Sequence, residues 1–282
     1  MSRKTSWAAL TAVVLLLSAC TLPPRPDPRP SPSTTADRVL HVGVGTDIPG
    51  FGLFDPVSQQ RSGFDTSLYQ WLAYHSSAKF TPVEHDVTIA TRSEVLRAGK
   101  VQLVVNVYSI TDERRKTVSF AGPYLITRQG VLMRVGDTRV TRLEDLAGLN
   151  VCTQTGSTSL VQLNSGSLSS KITITEEVGS AGCVRRLVEG TVDAVSTDQL
   201  VLQGYSAQQP DKVAVVPGLT FGAQERYGVG LPLGDTARCE EISTGLRELL
   251  SSSEWESLFR QNFPNLDPSE HKPNPTQLDP CP

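Results

Sequence analysis

Short runs rich in β-branched residues alternate with helical stretches along most of the chain, and this alternation restricts the fold more than any other feature. The first set has strands at Val39–Val44 and Val101–Val107, with helices at Gly63–Tyr74 and Thr91–Ala98 between them. A second set repeats the alternation with different residues: a short helix at Leu143–Ala147, strands at Asn150–Thr153, Ile172–Glu176 and Val192–Ser196, and helices at Gly156–Leu163, Gly182–Glu189 and Asp198–Tyr205. A strand at Tyr227–Leu231 and a broken helical stretch at Thr236–Phe263 return the chain. The pattern predicts an α/β protein with mostly parallel sheets in two sets.

The first twenty residues have the pattern of an export signal. Arg3 and Lys4 precede the apolar run Trp7–Leu17, which is too short for a stable membrane span. The run ends in Leu17-Ser18-Ala19-Cys20, which resembles the lipobox of bacterial lipoproteins. We therefore expect a signal peptide at 1–20 with lipidation (palmitate) at Cys20; an ordinary secretory signal is the alternative, and either one predicts export.

Two proline-rich segments flank the body of the chain. Residues 21–37 read as an extended, semi-rigid tether that would reach roughly 50 Å at about 3.1 Å per residue. The body is long enough for two ordinary domains, and 266–282 is predicted to be an irregular C-terminal tail. The formal net charge is −3, without a stripe of Lys or Arg, which argues against nucleic acid as a partner.

The cysteine count is consistent with export. Without Cys20, four cysteines remain, an even number suited to an oxidising compartment, and four cysteines allow three pairings. Cys152–Cys183 with Cys239–Cys281 is favoured because each pair stays within one region. No C-x-x-C spacing is present and the four histidines are scattered, so no metal is expected.

Catalytic and cofactor motifs find no support. The glycines from Gly43 to Gly52 lack the G-x-G-x-x-G spacing, and Pro49 interrupts where a helix should begin. Neither a P-loop nor a G-x-S-x-G elbow occurs. We expect no enzyme activity and no cofactor.

Three blocks at predicted strand ends carry groups that suit a zwitterion. Asn106–Arg114 offers hydroxyls, backbone N–H groups and the Arg114 guanidinium to a carboxylate, with Thr111 able to cap the helix. Thr155–Thr158 offers further donors, and Asp198 ends the third block as either an N-cap or an ammonium ligand. Each block alone is also explained as a capped helix. Together they supply what an α-amino acid requires.

At these residues the chain resembles the family 3 extracellular solute-binding proteins of amino-acid ABC importers. The matching pieces cover about 39–262 in family order: Gly63-Phe64-Asp65, Tyr108–Arg115, Val118–Tyr124, Leu143–Gly148, Thr155–Thr158, Gly190–Ala194 and Thr197-Asp198. Within the family the chain is most similar to actinobacterial glutamate-binding lipoproteins, through YSITD…R, FAGPYL, AVSTDQLVLQGY-like text and the positions of Cys152 and Cys183. This resemblance also supports the Cys152–Cys183 bridge.

The resemblance implies a two-lobed, type II periplasmic-binding-protein-like clamshell with two hinge crossings. Lobe 1 would comprise 38–126 and 227–265, and lobe 2 would comprise 127–226. The implied roles divide between the lobes. Arg114, Ser109 and the backbone near Val107 hold the ligand's α-carboxylate from lobe 1, Ser157 and Thr158 complete that site from lobe 2, and Asp198 binds the α-ammonium.

Side-chain selectivity rests on fewer residues. Arg92 matches an arginine of acidic-amino-acid binders and would pair with a second carboxylate, or else lie on a helix surface. Phe51 or Phe54 would pack on the ligand or join the core. The Thr46–Gly52 loop carries Asp47, and an acidic residue in this loop appears in relatives that bind cationic side chains. Glutamate or aspartate is the leading ligand, with glutamine or a basic amino acid as the alternative.

The resemblance also implies partners and location. The expected partners are an amino-acid ligand and the permease and ATPase of an ABC transporter, with a monomeric body lipid-anchored to the outer face of the cytoplasmic membrane. A sensor that reports the same amino acid to a signalling partner would need the same clamshell. A dehydratase, known for a few relatives of this fold, would need an acid or base in the cleft that the sequence does not offer.

Overall fold

The computed structural model describes residues 38–165 and 168–282. The predicted signal peptide 1–20, the lipidation site Cys20 and the tether 21–37 lie outside these residues. Within the described part, no helix combines the length and apolar character needed to cross a bilayer. The same residues contain no group of three or more His, Cys, Asp or Glu side chains placed to hold a metal ion.

In the described residues, a nine-stranded sheet forms the centre of the molecule and a three-stranded sheet lies beside it. The strands are β1 (Val39–Val44), β2 (Asp47–Ile48), β3 (Gly52–Asp55), β4 (Gln60–Ser62), β5 (Thr81–Asp86), β6 (Leu103–Val105), β7 (Val118–Arg134), β8 (Asn150–Gln154), β9 (Thr173–Glu177), β10 (Ala194–Asp198), β11 (Val213–Val215) and β12 (Phe221–Pro232). The helices are α1 (Phe64–Tyr74), α2 (Arg92–Arg97), α3 (Asp112–Arg115), α4 (Thr158–Ser165), α5 (Ser180–Glu189), α6 (Gln199–Gln208), α7 (Thr236–Ser251) and α8 (Glu254–Asn262), with 3₁₀ turns at Leu143–Leu146, Pro268–Glu270 and Pro275–Gln277.

Two long antiparallel strands, β7 and β12, join the halves of the main sheet. The order is β5-β1-β6-β12-β7-β10-β8-β9, and β11 also pairs with β7. β1 runs parallel to β5 and β6 in one half, which we call lobe 1, and β8 runs parallel to β9 and β10 in the other, lobe 2. The two predicted crossings, near 126 and 227, fall inside β7 and β12.

Helical periodicity explains how lobe 1 closes its core. Phe64, Leu68 and Leu72 recur every fourth residue on α1 and are fully buried. The Phe64 ring packs edge-on against Trp255 of α8, with 5.6 Å between centroids. The match between this apolar face and α8 positions the amino-terminal end of α1, which carries Asp65.

The structure differs from the predicted elements chiefly in its strands. The hairpins β2–β4 were not predicted, and the strand expected at 101–107 shortens to β6. Gly-Pro dipeptides commonly mark turns, yet β7 continues through Gly122-Pro123. The β7–β12 register shifts between Tyr227 and Val229, so the irregularity absorbs the proline.

The C-terminal segment 266–282 packs against the strands that join the lobes, with two 3₁₀ turns in otherwise irregular backbone. The Ile126 amide of β7 donates to the His271 carbonyl at 3.0 Å, and the Asp279 amide donates to the Gly122 carbonyl at 2.7 Å. A disulfide joins Cys281 to Cys239 on α7.

A second disulfide joins a strand and a helix of lobe 2. It connects Cys152 of β8 with Cys183 of α5, across a Cα–Cα distance of 5.4 Å. The structure therefore has the favoured one of the three pairings.

Candidate functional site

A small cavity lies where the carboxyl ends of the parallel strands of both lobes face each other. β1 and β6 end there from lobe 1, and β8 and β10 end there from lobe 2, a placement typical of ligand sites in α/β sheets. Its walls are formed by Ile48, Ile89, Arg92, Val107, Ser109, Gln154, Ser157, Thr158, Ser180, Thr197, Asp198 and Val201. Six of the predicted ligand residues are among them: Arg92, Val107, Ser109, Ser157, Thr158 and Asp198.

Arg114 lies at the edge of this cavity and spans the two lobes. Thr111 caps α3 by accepting a hydrogen bond from the Arg114 amide at 3.2 Å, as the sequence predicts. The guanidinium donates from Nη1 to the Ser109 carbonyl at 2.7 Å and from Nη2 to the Gly156 carbonyl at 2.9 Å. Burial lowers the pKa of Arg114 from its ordinary value.

Arg92 is a buried cation in the wall of the cavity. It is 2% exposed, and Nη1 donates to the carbonyls of Asn106 (2.7 Å) and Val107 (2.8 Å). The guanidinium carbon lies 4.3 Å from the centroid of the Tyr108 ring, a cation–π distance. Burial, with the charge of Arg114 added, lowers the pKa of Arg92 to about 9, so the side chain remains charged at neutral pH.

A buried carboxylate holds the backbone around Val107. Val107 has φ 40°, which is unfavourable for a β-branched residue. Asp65 of α1 accepts from the Val107 amide and from the Tyr124 hydroxyl, each at 2.7 Å. Burial raises the pKa of Asp65 to about 6, and the hydrogen bond from Tyr124 opposes that rise. The surrounding contacts therefore fix a strained backbone at the cavity wall.

Lobe 2 contributes hydroxyls and an amide. Ser157 accepts from the Leu160 amide at 3.1 Å, so it caps α4 while it lines the cavity. The Thr158 hydroxyl accepts from Nε2 of the Gln129 side chain at 3.2 Å. Gln154, 1% exposed, lines the same cavity, and its Nε2 has no hydrogen-bond partner among the described residues.

Asp198 begins α6, but its carboxylate does not cap the helix. Instead Oδ1 accepts from Nε2 of Gln129 at 2.6 Å, and Oδ2 accepts from the Tyr227 hydroxyl. Burial raises the pKa of Asp198 to about 7, and the charge of nearby Glu225 adds to the rise. The N-cap alternative for this residue is therefore wrong, and the carboxylate faces the cavity.

Two candidate residues lie outside the cavity, which corrects their expected positions. The Asp47 carboxylate accepts from the Ala181 amide of α5 at 3.4 Å, because the β2–β3 hairpin directs it at lobe 2. Phe51 is fully buried, with its ring packed against Tyr227 and Phe263. Ile48 and Ile89 supply the apolar wall instead.

The contact between the lobes continues beyond Asp47. The Tyr205 hydroxyl of α6 donates to the Asp47 carbonyl. Beside it, Gly204 approaches the Pro49 carbonyl so closely that a Cβ at Gly204 would lie 2.0 Å from that oxygen. We call this contact, formed by Asp47, Pro49, Ala181, Gly204 and Tyr205, the interlobe latch.

Sequence reasoning missed several residues of the site. Gln129, Glu225 and Tyr227 meet Asp198 from the joining strands. Gln154 fell just beyond the predicted strand, and Glu225 is flanked by polar Gln224 and Arg226. A buried polar residue inside a predicted long strand is a sign of a functional role. That sign was missing here, because neither β7 nor the full length of β12 was predicted.

Comparison with known proteins assigns the family. Residues 40–265 match the profile of the bacterial extracellular solute-binding proteins, family 3. The chain belongs to this family. Members of family 3 and the relatives named below are solute-binding proteins, and the predicted family is confirmed.

Two relatives show which ligands occur nearby in the family. Glutamate-binding protein GluB of Corynebacterium efficiens is 31% identical over 232 residues, which cover 79% of this chain and 78% of GluB. The ABC transporter glutamine-binding protein GlnH of Bacillus subtilis is 29% identical over 240 residues, which cover 83% and 84%.

Solved structures confirm the predicted fold class. An ancestral arginine-binding protein bound to arginine superposes with a TM-score of 0.73 and 27% identity, covering 80% of this chain and 98% of the other. The family 3 chain therefore has the two-lobed type II fold.

Proposed function

We propose that the chain is the receptor of an ABC importer for an acidic amino acid, glutamate or aspartate. One observation carries the proposal: the buried guanidinium of Arg92 and the buried carboxylate of Asp198 line one cavity between the lobes, and the half-buried guanidinium of Arg114 lies at its edge. A ligand with two carboxylates and one ammonium matches that set of charges. Buried charges require such partners, because an unpaired charge is costly away from water.

The α-carboxylate would lie at the helix α4 end of the cavity. Arg114 would bind it, with the hydroxyls of Ser109, Ser157 and Thr158 as further donors. Arg114 already contacts a carbonyl from each lobe, so a carboxylate there would join both lobes. Asp198 would take the α-ammonium.

The side chain of the ligand would meet Arg92 and Gln154. Gln154 Nε2 is a buried donor without an acceptor in the described residues, and a buried unsatisfied donor is unfavourable. An oxygen of the ligand's side chain would satisfy it, while Arg92 would neutralise a second carboxylate. The similarity to glutamate-binding GluB supports this choice.

We place the lobe boundaries at 126/127 and 226/227, so that lobe 1 comprises 38–126 with 227–265 and lobe 2 comprises 127–226. Because the ligand's charges would be met from both lobes, binding would favour the closed form. We propose that the ABC permease recognises that form, and that Cys20 anchors the exported protein to the outer face of the membrane.

Calorimetric titration of the full-length protein with glutamate, aspartate, glutamine, asparagine, arginine and lysine tests the proposal. We expect tight binding of glutamate or aspartate and much weaker binding of the uncharged and basic amino acids. Preference for arginine or lysine would overturn the acidic ligand while keeping the amino-acid site. Binding of none, or conversion of the amino acid during incubation, would overturn the receptor.

A further inference from the structure

Glu225 is a buried carboxylate that neither the predicted site nor the family resemblance uses. It lies on β12, is 5% exposed, and its Oε1 accepts from Nε2 of Gln129 at 2.8 Å. The same nitrogen donates to Oδ1 of Asp198 at 2.6 Å. The two carboxylates therefore meet at one amide group.

The amide is held in the orientation that favours this meeting. Ser159 of α4 donates its hydroxyl to Oε1 of Gln129. The amide oxygen is thus turned toward a donor and the NH₂ group toward the carboxylates. Gln129 is fully buried, so its orientation is set by these contacts and not by solvent.

No cation neutralises this pair at close range. Within residues 38–165 and 168–282, no Lys, Arg or His nitrogen lies within 4.0 Å of the carboxylate of Asp198 or Glu225. Arg92 and Arg114 act on Asp198 only at longer range. Two adjacent buried carboxylates without a close cation cannot both ionise at low cost.

We propose that Glu225 is the second acidic residue of the ammonium subsite: with no amine bound, the Asp198–Glu225 pair holds one proton, and the α-ammonium of an amino acid displaces it. This inference rests on the proposed function. The proton passes to solvent, and the ammonium takes its place as the positive partner of two carboxylates. Compounds without that cation, such as α-keto acids, would leave the pair protonated and bind weakly.

The charged groups that face Asp198 and Glu225 are few. β12 contributes Glu225 and Tyr227, and α2 and α3 contribute Arg92 and Arg114. The bonded groups from β7 and α4 are uncharged: Gln129, Thr158 and Ser159. Burial and then the charge of Glu225 raise the pKa of Asp198 to about 7, and the hydrogen bond from Tyr227 opposes that rise. Tyr227 stays neutral, because burial raises its own pKa well above its ordinary value.

The sign of the pH dependence follows from this. The pKa of Asp198 is raised when no amine is bound, and a bound ammonium lowers it. Binding therefore releases a proton below about pH 7. Affinity should fall by up to about tenfold per pH unit below that value and become level above it.

The test is calorimetry of the full-length protein with L-glutamate, L-glutamine and L-arginine, each of which carries an α-ammonium. Titration in two buffers of different ionisation enthalpy, between about pH 5 and 8, counts the protons released. We expect release of up to one proton per bound amino acid near pH 6. In Glu225→Gln the release near pH 6 should be smaller and the fall in affinity should shift to lower pH, since the repulsion that adds to the effect of burial on the Asp198 pKa is gone. Glu270→Gln, an exposed glutamate outside the cavity, is the matched control and should behave as wild type.

The outcomes separate this inference from the proposed function. Binding without proton release in the wild type, or the same release in Glu225→Gln, overturns the inference and leaves the receptor intact. Binding of none of the three amino acids at any pH overturns both. If the variant does not fold, absence of proton release in the wild type still overturns the inference.

Discussion

At the scale of single residues, one side chain in the wall of the cavity has a buried donor without a partner in the described part of the chain. Ser157 and Asp198 have partners from the protein itself. Gln154 Nε2 has none among the described residues. Replacing Gln154 should therefore affect protein stability and ligand binding in opposite directions.

We expect Gln154→Leu to stabilise the free protein by about 1 kcal/mol, because an apolar side chain of similar shape replaces an unsatisfied donor. The same change should weaken glutamate binding by about tenfold or more, because the ligand loses a buried hydrogen bond. Thermal unfolding and calorimetry measure the two effects. Gln208→Leu, on an exposed position of α6, is the control. A drop in stability, or unchanged affinity, would contradict the assigned role of Gln154.

Residue-scale prediction from sequence succeeded where the bonding is local. Thr111 caps α3 within three residues, as its sequence position predicts. Asp198 also stands at an N-cap position, but its partners, Gln129 and Tyr227, come from distant strands. Glu225 is buried by the same strands. Local sequence contains no signal for a pairing set by β7 and β12.

At the scale of elements, the C-terminal segment braces the joining strands. Asp279 pairs with Arg115 of α3 and Arg226 of β12, which neighbour Arg114 and Glu225 of the site. The polar, proline-rich sequence of this segment does not show where it packs. Its position depends on Cys281 and Asp279, whose partners are far away in sequence.

Replacing both cysteines of the 239–281 bridge with alanine should lower the free energy of unfolding by about 4 kcal/mol, since the bridge closes a loop with a sequence separation of 42. The Ile126 amide, bonded to His271, should then exchange its hydrogen faster. Denaturant unfolding and hydrogen exchange measure these effects. The matched control, Cys152→Ala with Cys183→Ala in lobe 2, should lose stability without faster exchange at Ile126. Equal exchange rates in both variants would mean that the bridge does not secure the brace.

At the scale of the whole molecule, part of the closed arrangement is held by contacts outside the cavity. The five residues of the interlobe latch lie outside the walls of the cavity, and Gly204 permits the close approach of the lobes. Ligand binding and latch formation would therefore favour the same closed state.

Gly204→Ala should weaken glutamate binding more than tenfold, because its Cβ would meet the Pro49 carbonyl only when the lobes close. The free protein should keep or slightly gain stability, because alanine favours a helix over glycine by about 1 kcal/mol. Calorimetry measures affinity, and small-angle X-ray scattering measures whether ligand still compacts the protein. Gln203→Ala on the same helix is the control. Wild-type affinity in Gly204→Ala would show that the latch does not accompany closure.

Both ends of the described body are fastened to the same helix of lobe 1. Arg38 binds Glu241 of α7 at 2.5 and 2.6 Å, and Cys281 is bonded to Cys239 of that helix. Both ends of the described body are thus attached to lobe 1, so a pull at either end would act on lobe 1 and not on lobe 2. A protein held at either end would be held through lobe 1, which leaves lobe 2 as the part that can swing.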